Sequence, residues 1–326
     1  MGFNKQNYIR IKREYEGKSL ASQEKANARR NELALKIPRI AEIDAELSRT
    51  GMKIFEASTV LRGEALEARI NELKEQNLKL NAERKAVLEY HGYPADYSDV
   101  KYECNECSDT GFVGIKMCRC MKQSLIMAGY ESSGIGKLIR SKSFDNFDIS
   151  YQKGDKTAYE NASMIYGFCK SYAENFDERS QNLLFIGGTG LGKTHLCAAI
   201  TGKVIENGFD AVCETAQNIF SDFETEHFRN PYGKDENITS KTERYIECDL
   251  LVIDDLGTEL TNQFTVSCLY NVINTRLNRG KPMIINTNLT RDELKNRYSD
   301  RITSRLFGEF LPIIFIGRDI RELKLD

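Results

Sequence analysis

The stretch "NLLFIGGTGLGKTHLCAAI" (residues 182–200) constrains the fold more than any other part of the chain. An apolar run of strand character leads into a glycine-rich turn, and a helix-forming run follows it. Glycines let successive backbone N–H groups turn inward around an anion, and the helix N-terminus adds partial positive charge. The sequence therefore predicts a phosphate-binding loop between a buried strand and a helix. Its residues are Gly187, Gly188, Thr189, Gly190, Leu191, Gly192, Lys193 and Thr194.

Two side chains of this loop have expected partners on a nucleotide. Lys193 is expected to reach the β- and γ-phosphates of ATP, and the hydroxyl of Thr194 to bind Mg²⁺. ATP, ADP and Mg²⁺ are therefore the predicted ligands. His195 follows directly and is grouped with the nucleotide-binding residues, although an ordinary residue of the first helical turn is the better interpretation.

A second apolar run, "LLVIDDLG" (residues 250–257), ends in two adjacent acids. Burying one carboxylate is costly, and two side by side repel each other. A phosphate loop, however, needs a carboxylate at the end of a neighbouring strand to hold the water shell of the magnesium ion. Asp254 is predicted to have that role. Because side chains alternate along a strand, Asp255 is expected to point elsewhere, either toward the attacking water or as a cap of the next turn.

Helical and apolar strand patterns alternate from about residue 157 onward. Near-continuous apolar strands are typical of a parallel sheet that helices cover on both faces. The sequence thus predicts an α/β P-loop domain over residues 143–326 with a parallel five-stranded sheet. The predicted strands are Leu183–Ile186, Ala211–Cys213, Leu250–Asp254, Met283–Asn286 and Pro312–Ile316.

Residues 1–98 are helical by pattern and are predicted to form a separate partner-binding region. A seven-residue apolar repeat predicts a helix seam that is polar in its second half. A self-associating coiled coil, a helical hairpin with residues 37–60 and a docking surface are the alternatives. The hairpin is favoured because the seam is short and half polar. The seam positions are Leu66, Ile70, Leu73, Asn77, Leu80, Arg84 and Val87.

The segment "CNECSDTGFVGIKMCRC" holds two close cysteine pairs within the predicted module and linker of residues 99–142. Four thiolates at this spacing predict a tetrahedral Zn²⁺ site, and they leave no open position, so its role is structural. A reduced cluster or a redox pair is the alternative. The predicted ligands are Cys104, Cys107, Cys118 and Cys120.

Composition limits the setting in which the chain works. The net charge of −2 excludes a strong attraction of the whole chain to nucleic acid, although residues 1–36 hold nine Lys and Arg against four Asp and Glu. The chain has no apolar span of 18 residues, so no membrane association is expected. Nine cysteines without a secretory signal at residues 1–10 indicate a reducing cytoplasm.

Six segments together resemble the AAA+ ATPases, and within them the bacterial replicative helicase loaders of the DnaC/DnaI type, with the IstB-type transposition helpers as close relatives. The resemblance covers about residues 143–321. It implies an AAA+ core, and because the chain stops at Asp326 it implies no full helical lid. The segments are "SFDNFD", "GGTGLGKTHL", "LLVIDDLGTE", "MIINTNLT", "DRITSRLF" and "GRDIR".

The resemblance also implies roles for single residues. Asn288, in preference to Asn286, is expected to sense the γ-phosphate; a turn asparagine at a strand end is the plain alternative. Arg305, or failing it Arg301, is expected to be an arginine finger that reaches a neighbouring subunit, which implies a homo-oligomer with ATP bound. The alternative is a solvated or DNA-facing basic stripe. Arg321 is expected near the nucleotide.

One departure from the wider AAA+ pattern affects the expected rate. The usual acid pair is Asp-Glu, whereas here Asp255 is shorter by one methylene, roughly 1.5 Å. Errors of about an ångström in position can cost on the order of 10²-fold in rate. We therefore expect slow, partner-stimulated hydrolysis.

Three functions fit these features. The first is a loader that binds a DnaB-type replicative helicase through the N-terminal region and places it on single-stranded DNA. The second is a transposition helper that binds DNA and a transposase, and the third is a nucleotide-switch adaptor that barely hydrolyses ATP. The polar segment 221–247 is either a surface loop or a single-stranded DNA contact, with these candidate residues: Phe228, Arg229, Tyr232, Lys234, Lys241 and Arg244.

Overall fold

The computed structural model describes residues 3–134, 141–229 and 241–323. The chain divides into two compact units, one of residues Lys12–Met121 and one that combines Met1–Ile11 with Lys122–Asp326. The predicted domain boundaries after residues 98 and 142 remain predictions.

In the first unit, the predicted helical hairpin is confirmed. After α1 (Lys5–Lys36), the short helices α2 (Pro38–Ser48) and α3 (Thr50–Val60) pack along the long helix α4 (Glu64–Tyr90). Every predicted seam position of α4 is at least partly buried, and Leu73 is 2% exposed.

The two polar seam positions have partners on the other arm of the hairpin or just beyond α4. The hydroxyl of Thr50 donates to the Asn77 side-chain oxygen at 2.8 Å. Arg84 pairs with Asp44 at 2.7 Å and donates to the Ser98 hydroxyl at 2.8 Å. A polar seam residue that is satisfied within its own chain fixes the register of the helices.

The second unit is built from alternating helices and strands. Among the described residues, its five strands form one parallel sheet in the order β4-β5-β6-β3-β7. A two-stranded hairpin of β1 (Phe112–Val113) and β2 (Lys116–Met117) precedes it in the first unit. The remaining elements are α5 (Arg119–Ser132), α6 (Lys156–Glu174), β3 (Asn182–Ile186), α7 (Lys193–Glu206), β4 (Ala211–Thr215), α8 (Ala216–Arg229), α9 (Lys241–Glu247), β5 (Leu250–Leu256), α10 (Gln263–Asn278), β6 (Met283–Thr287), α11 (Arg291–Arg297), α12 (Asp300–Gly308), β7 (Phe310–Ile314) and α13 (Ile320–Leu323).

The predicted strands are all present, but one prediction was wrong in its position. The last strand spans Phe310–Ile314 instead of Pro312–Ile316, and it pairs with β3 from Asn182 to Ile186. It lies at the edge of the sheet, where a proline with no N–H to donate is tolerated inside a strand. The sequence pattern predicts Pro312 at the start of this strand, whereas the structure places it in the middle.

Both faces of the sheet are covered, as near-continuous apolar strands require. On β5, Leu251 and Ile253 face a core with α8, α10, α11 and α12, while Leu250 and Val252 face a core with α6 and α7. Within the described ranges, no helix is both long enough and apolar enough to span a bilayer.

Arg276 of α10 is completely buried and holds one end of this unit together. Its guanidinium donates to backbone oxygens at the carboxyl end of α9, before β5 and before β6, at 2.7 to 3.3 Å. A cation at a helix C-terminus also interacts favourably with the helix dipole. The accepting carbonyls belong to Tyr245, Ile246, Cys248, Asp249 and Pro282.

Replacing this side chain should be costly. Arg276→Met leaves several buried carbonyls without donors, and we expect it to lower the free energy of unfolding by about 3 kcal/mol. Urea denaturation followed by circular dichroism measures the change. The matched control is Arg279→Met, which removes an exposed ion pair with Glu247 and should cost less than about 1 kcal/mol. Equal losses for the two variants would contradict this account of Arg276.

Candidate active site

The predicted phosphate loop lies between β3 and α7, and Lys193 is folded back over it. The Lys193 Nζ atom donates to the carbonyls of Gly187 at 2.8 Å and Gly188 at 2.6 Å, and to Asn288 Oδ1 at 2.7 Å. Only 5% of Lys193 is exposed, and this burial lowers the pKa of its ammonium while the nearby carboxylate of Asp255 opposes the shift. The ammonium is thus placed at the loop with little freedom to move.

Two glycines of the loop are required by close neighbours as well as by backbone conformation. Gly192 has a φ of 90°, and a Cβ there would lie 2.6 Å from the ring of Phe147. Gly190 has a φ of 69°, and a Cβ there would overlap the carboxylate of Asp319. Segments from before and after the sheet therefore pack directly on the loop.

The two acids differ sharply in their surroundings. Asp254 is 6% exposed and accepts hydrogen bonds from the Thr194 hydroxyl at 3.2 Å and from the Asn286 amide. Asp255 is partly exposed and lines the main cavity beside the loop. As predicted, the side chains point in different directions.

A bulge in β5 causes this difference. The pairing with β6 passes from Ile253–Ile285 to Leu256–Thr287, so β5 contains one residue more than its neighbour over this interval. Asp255 has a φ of 53°, in the left-handed region that non-glycine residues rarely adopt. The local backbone, and not simple strand alternation, therefore sets the direction of Asp255.

Burial raises the pKa of Asp254 above its ordinary value of 3.8, and the charge of Asp255 raises it further. The hydrogen bonds from Asn286 and Thr194 oppose the shift. An unsolvated carboxylate beside a second acid is a favourable ligand for a cation, because a cation would relieve both penalties. Together, Thr194 and Asp254 can hold a hydrated Mg²⁺ ion.

The two candidate asparagines, Asn286 in β6 and Asn288 just after it, have separate contacts. Asn286 is fully buried against Asp254, whereas Asn288 contacts Lys193 and lines the cavity. The geometry thus places the favoured candidate, Asn288, where it can contact a bound phosphate.

The cavity beside the loop has a volume of about 710 Å³. Several predicted residues line it, namely Thr189, Gly190, Leu191, Gly192, Lys193, Thr194, His195, Asp255, Asn288 and Arg321. A second group of residues lines the same cavity, and the sequence patterns predicted no role for them, although some belong to the segments "SFDNFD" and "GRDIR". That group comprises Ser141, Lys142, Asn146, Phe147, Asp148, Tyr151 and Ile320.

His195 is more than a residue of the first helical turn. Its Nε2 atom lies 2.8 Å from the backbone oxygen of Ser143, and its ring contacts Phe147 edge-on with centroids 5.1 Å apart. It therefore joins the phosphate loop to the segment that forms one wall of the cavity.

The two candidate finger arginines on α12 do not line this cavity. Arg301 is exposed. Arg305 donates to Asn274 Oδ1 at 2.8 Å and stacks over the Tyr270 ring at 4.8 Å. Arg321, by contrast, lines the cavity of its own chain. The predicted buried ridge of α11 and α12 is confirmed, and it consists of Leu294, Tyr298, Ile302 and Leu306.

The four clustered cysteines converge around the β1–β2 hairpin. All four sulfur atoms lie within 4.8 Å of one another, and the separations are 3.8 Å for Cys104–Cys118 and 3.5 Å for Cys107–Cys120. A tetrahedral zinc site with Zn–S bonds of about 2.3 Å needs sulfurs roughly 3.8 Å apart. The buried Asp109, which sequence reasoning missed, accepts from the N–H groups of Glu103 and Cys104 and so shapes the loop. This donor set fits Zn²⁺.

The candidate DNA segment is described only in part. Tyr232 and Lys234 lie outside the described residues, as does the side chain of Arg229. Phe228 is 73% exposed at the end of α8, and Lys241 pairs with Asp222 at 3.3 Å. Arg244 lies on α9.

A phosphate loop after the third strand, an acid pair near the carboxyl end of the fifth and an asparagine after the sixth all meet at one end of a parallel sheet. This arrangement defines a P-loop ATPase of the AAA+ class. The chain belongs to the family of IstB-like ATP binding proteins, whose match covers residues 133–307.

Individual relatives include proteins of replication initiation. The replicative helicase loader DnaC of Escherichia coli K12 is 27% identical over 187 residues, which are 57% of this chain and 71% of DnaC. The chromosomal replication initiator protein DnaA of Mycoplasma genitalium is 32% identical over 165 residues, 51% of this chain and 35% of DnaA. A crystal structure of the DnaC helicase loader has a TM-score of 0.45 at 20% identity and covers 55% of this chain and 99% of that chain.

The raised pKa of Asp254 has a testable consequence for stability. An acid whose folded pKa lies above its unfolded value costs stability as the pH rises through that interval. Asp254→Asn removes this cost, so without nucleotide and Mg²⁺ its urea midpoint should exceed that of wild type at pH 8. The difference should narrow as the pH falls toward 4. ATP turnover should fall by about 10²-fold or more, since a metal contributes several kcal/mol to such reactions.

Asp145→Asn is the control, because it neutralises an exposed carboxylate of the same unit and should leave the urea midpoint unchanged. A lower midpoint for Asp254→Asn than for wild type at pH 8 would show that its hydrogen bonds outweigh the burial cost.

Proposed function

We propose that this ATPase is a helicase loader, which uses ATP binding and slow hydrolysis to place a DnaB-type replicative helicase on single-stranded DNA. The observation that carries the ATP-dependent part is the pair of contacts Lys193–Asn288 and Thr194–Asp254 beside the cavity. The similarity to DnaC supports the loader part.

In this proposal, the cavity binds ATP with its phosphates at the loop, where Lys193 neutralises phosphate charge. Thr194 and Asp254 hold Mg²⁺, which supplies charge neutralisation on the phosphates when it is bound. Asp255 orients and activates the attacking water, and Asn288 contacts the γ-phosphate. Arg321 contacts the nucleotide from the same chain, since it lines the same cavity.

A second copy of the chain completes the site. Arg301 and Arg305 lie on α12 outside the cavity lining, so in this proposal they act on the nucleotide of a neighbouring subunit. Arg301 is exposed and available for such a contact, whereas Arg305 must leave Asn274 and Tyr270 to make it. ATP binding thereby favours a homo-oligomer.

The unit of residues 12–121 binds the helicase in this proposal. Its hairpin presents large apolar side chains to solvent, among them Met52, Phe55 and Leu78, with exposures of 66%, 70% and 70%. Met52 and Phe55 lie three residues apart on one face of α3, and an exposed apolar patch is typical of a protein interface. A structural Zn²⁺ ion held by the four cysteines stabilises the same unit.

Metal analysis tests the zinc site. The double variant Cys104→Ser and Cys118→Ser should lose one Zn²⁺ per chain, because two thiolates cannot close a tetrahedral site. Mass spectrometry of the purified full-length protein measures the metal content. Cys268→Ser, at a buried cysteine outside the cluster, should keep its zinc. Undiminished zinc in the double variant would remove the proposed site.

Turnover measurements test the loader proposal. We expect slow basal ATP hydrolysis that rises with single-stranded DNA and the replicative helicase of the same host. Asp255→Ala should lose both basal and stimulated turnover, by about 10²-fold, because the water is no longer positioned. Nucleotide affinity should change little, as the phosphate-binding groups remain.

The alternatives predict different outcomes. Stimulation by duplex DNA and a transposase, with none by the helicase, would favour a transposition helper, which the IstB-like family match makes the second candidate. Tight ATP binding with no turnover under any condition would leave only a nucleotide switch.

A further inference from the structure

The loop that follows the acid pair is organised by a buried glutamate outside the phosphate-binding motifs. Glu259 is 3% exposed. Its Oε2 atom accepts from the Gly257 N–H at 2.8 Å, and its Oε1 atom accepts from the hydroxyl of Tyr298, which is itself buried. A carboxylate offers two acceptor oxygens, and this one uses each for a different partner. Glu259 and Tyr298 are 39 residues apart in the sequence, so this hydrogen bond joins two distant segments.

This loop fixes the backbone of Asp255. The Thr258 hydroxyl donates to the Asp255 carbonyl at 2.9 Å, and the Thr258 N–H donates to it at 3.3 Å. The backbone of Asp255 adopts the left-handed conformation, which is strained for a residue other than glycine and persists only where the surroundings hold it. Glu259 accepts from the N–H of Gly257, which lies two residues after Asp255 in the same turn.

The same glutamate connects the loop to the arginine helix. Tyr298 lies between α11 and α12, so the hydrogen bond from its hydroxyl joins the loop to the start of α12. Arg297 adds a second connection, because it donates to the Glu259 backbone oxygen and to the Thr261 hydroxyl. Arg301 follows one turn later on α12.

We propose that Glu259 is a positioning residue for ATP hydrolysis. Its carboxylate stabilises the backbone conformation that directs Asp255 toward the attacking water. Through its hydrogen bond with Tyr298, it also connects this loop to α12, the helix that carries Arg301 and Arg305. The inference rests on the proposed role of Asp255. It assigns Glu259 no contact with the nucleotide.

Glu259→Gln tests the proposal in the full-length chain. A glutamine has one acceptor oxygen in place of two, so it cannot accept from both Gly257 and Tyr298. Single-turnover hydrolysis of radiolabelled ATP with Mg²⁺ should slow by about 10-fold, because positional errors below an ångström already reduce rates. The Kd for ATP should change by less than about twofold.

Tyr298→Phe removes only the hydroxyl that donates to Glu259, so it tests the same connection if Glu259→Gln folds poorly. It should slow hydrolysis in the same direction with an unchanged Kd. The double variant should be no slower than the slower single variant, since both substitutions interrupt one connection.

The matched control is Glu293→Gln, which alters an exposed glutamate whose carboxylate accepts from the N–H and the hydroxyl of Thr290 in the cap of α11. It should lower stability slightly and leave the hydrolysis rate unchanged. Unchanged rates in Glu259→Gln and Tyr298→Phe would overturn the proposal, as would equal losses of rate and ATP affinity.

Asp255→Ala, measured in parallel, separates the two levels of inference. If Asp255→Ala hydrolyses ATP at the wild-type rate, the proposed role of Asp255 fails, and the positioning role of Glu259 fails with it. If Asp255→Ala is inactive while Glu259→Gln is normal, only the positioning role fails.

Discussion

The buried carboxylate of Asp254 is the constraint on which the rest of the site depends. It accepts from the Thr194 hydroxyl at the start of α7 and from the Asn286 amide of β6, so it joins the carboxyl ends of β5 and β6 to the start of α7. Burial beside Asp255 raises its pKa, and the apo protein bears that cost. A divalent cation held by Asp254 would remove that cost.

The remainder of the site is built on this centre from segments that are distant in sequence. Phe147 packs against Gly192 from before the sheet, and Asp319 packs against Gly190 from after it. Gln152 adds hydrogen bonds between the same two segments, because its side chain both donates to and accepts from the backbone of Arg318. Segments from before and after the sheet thus meet at the phosphate loop.

Several buried or partly buried polar side chains join elements through specific partners. The two Nη atoms of Arg276 donate to backbone carbonyls, Glu259 accepts from one N–H and one hydroxyl, and Arg84 donates to a carboxylate and a hydroxyl. A buried polar group without partners would cost more than an apolar one of the same shape. Each of these side chains therefore specifies which elements lie next to each other, and the apolar cores of the two units supply most of the stability.

The sequence by itself determined the phosphate loop, the acid pair, the helix seam and the cysteine cluster, because each is a local pattern whose chemistry depends on spacing along the chain. It also indicated the parallel sheet, since apolar runs that alternate with helices have few other solutions. Only the tertiary structure decided that the backbone of Asp255 is in the left-handed region and that Asn288 lines the cavity. The same is true of the hydrogen bonds that Glu259 accepts from Gly257 and Tyr298. The physical reason is that a bulge and a long-range hydrogen bond both depend on the register of neighbouring strands and helices, which no local pattern contains.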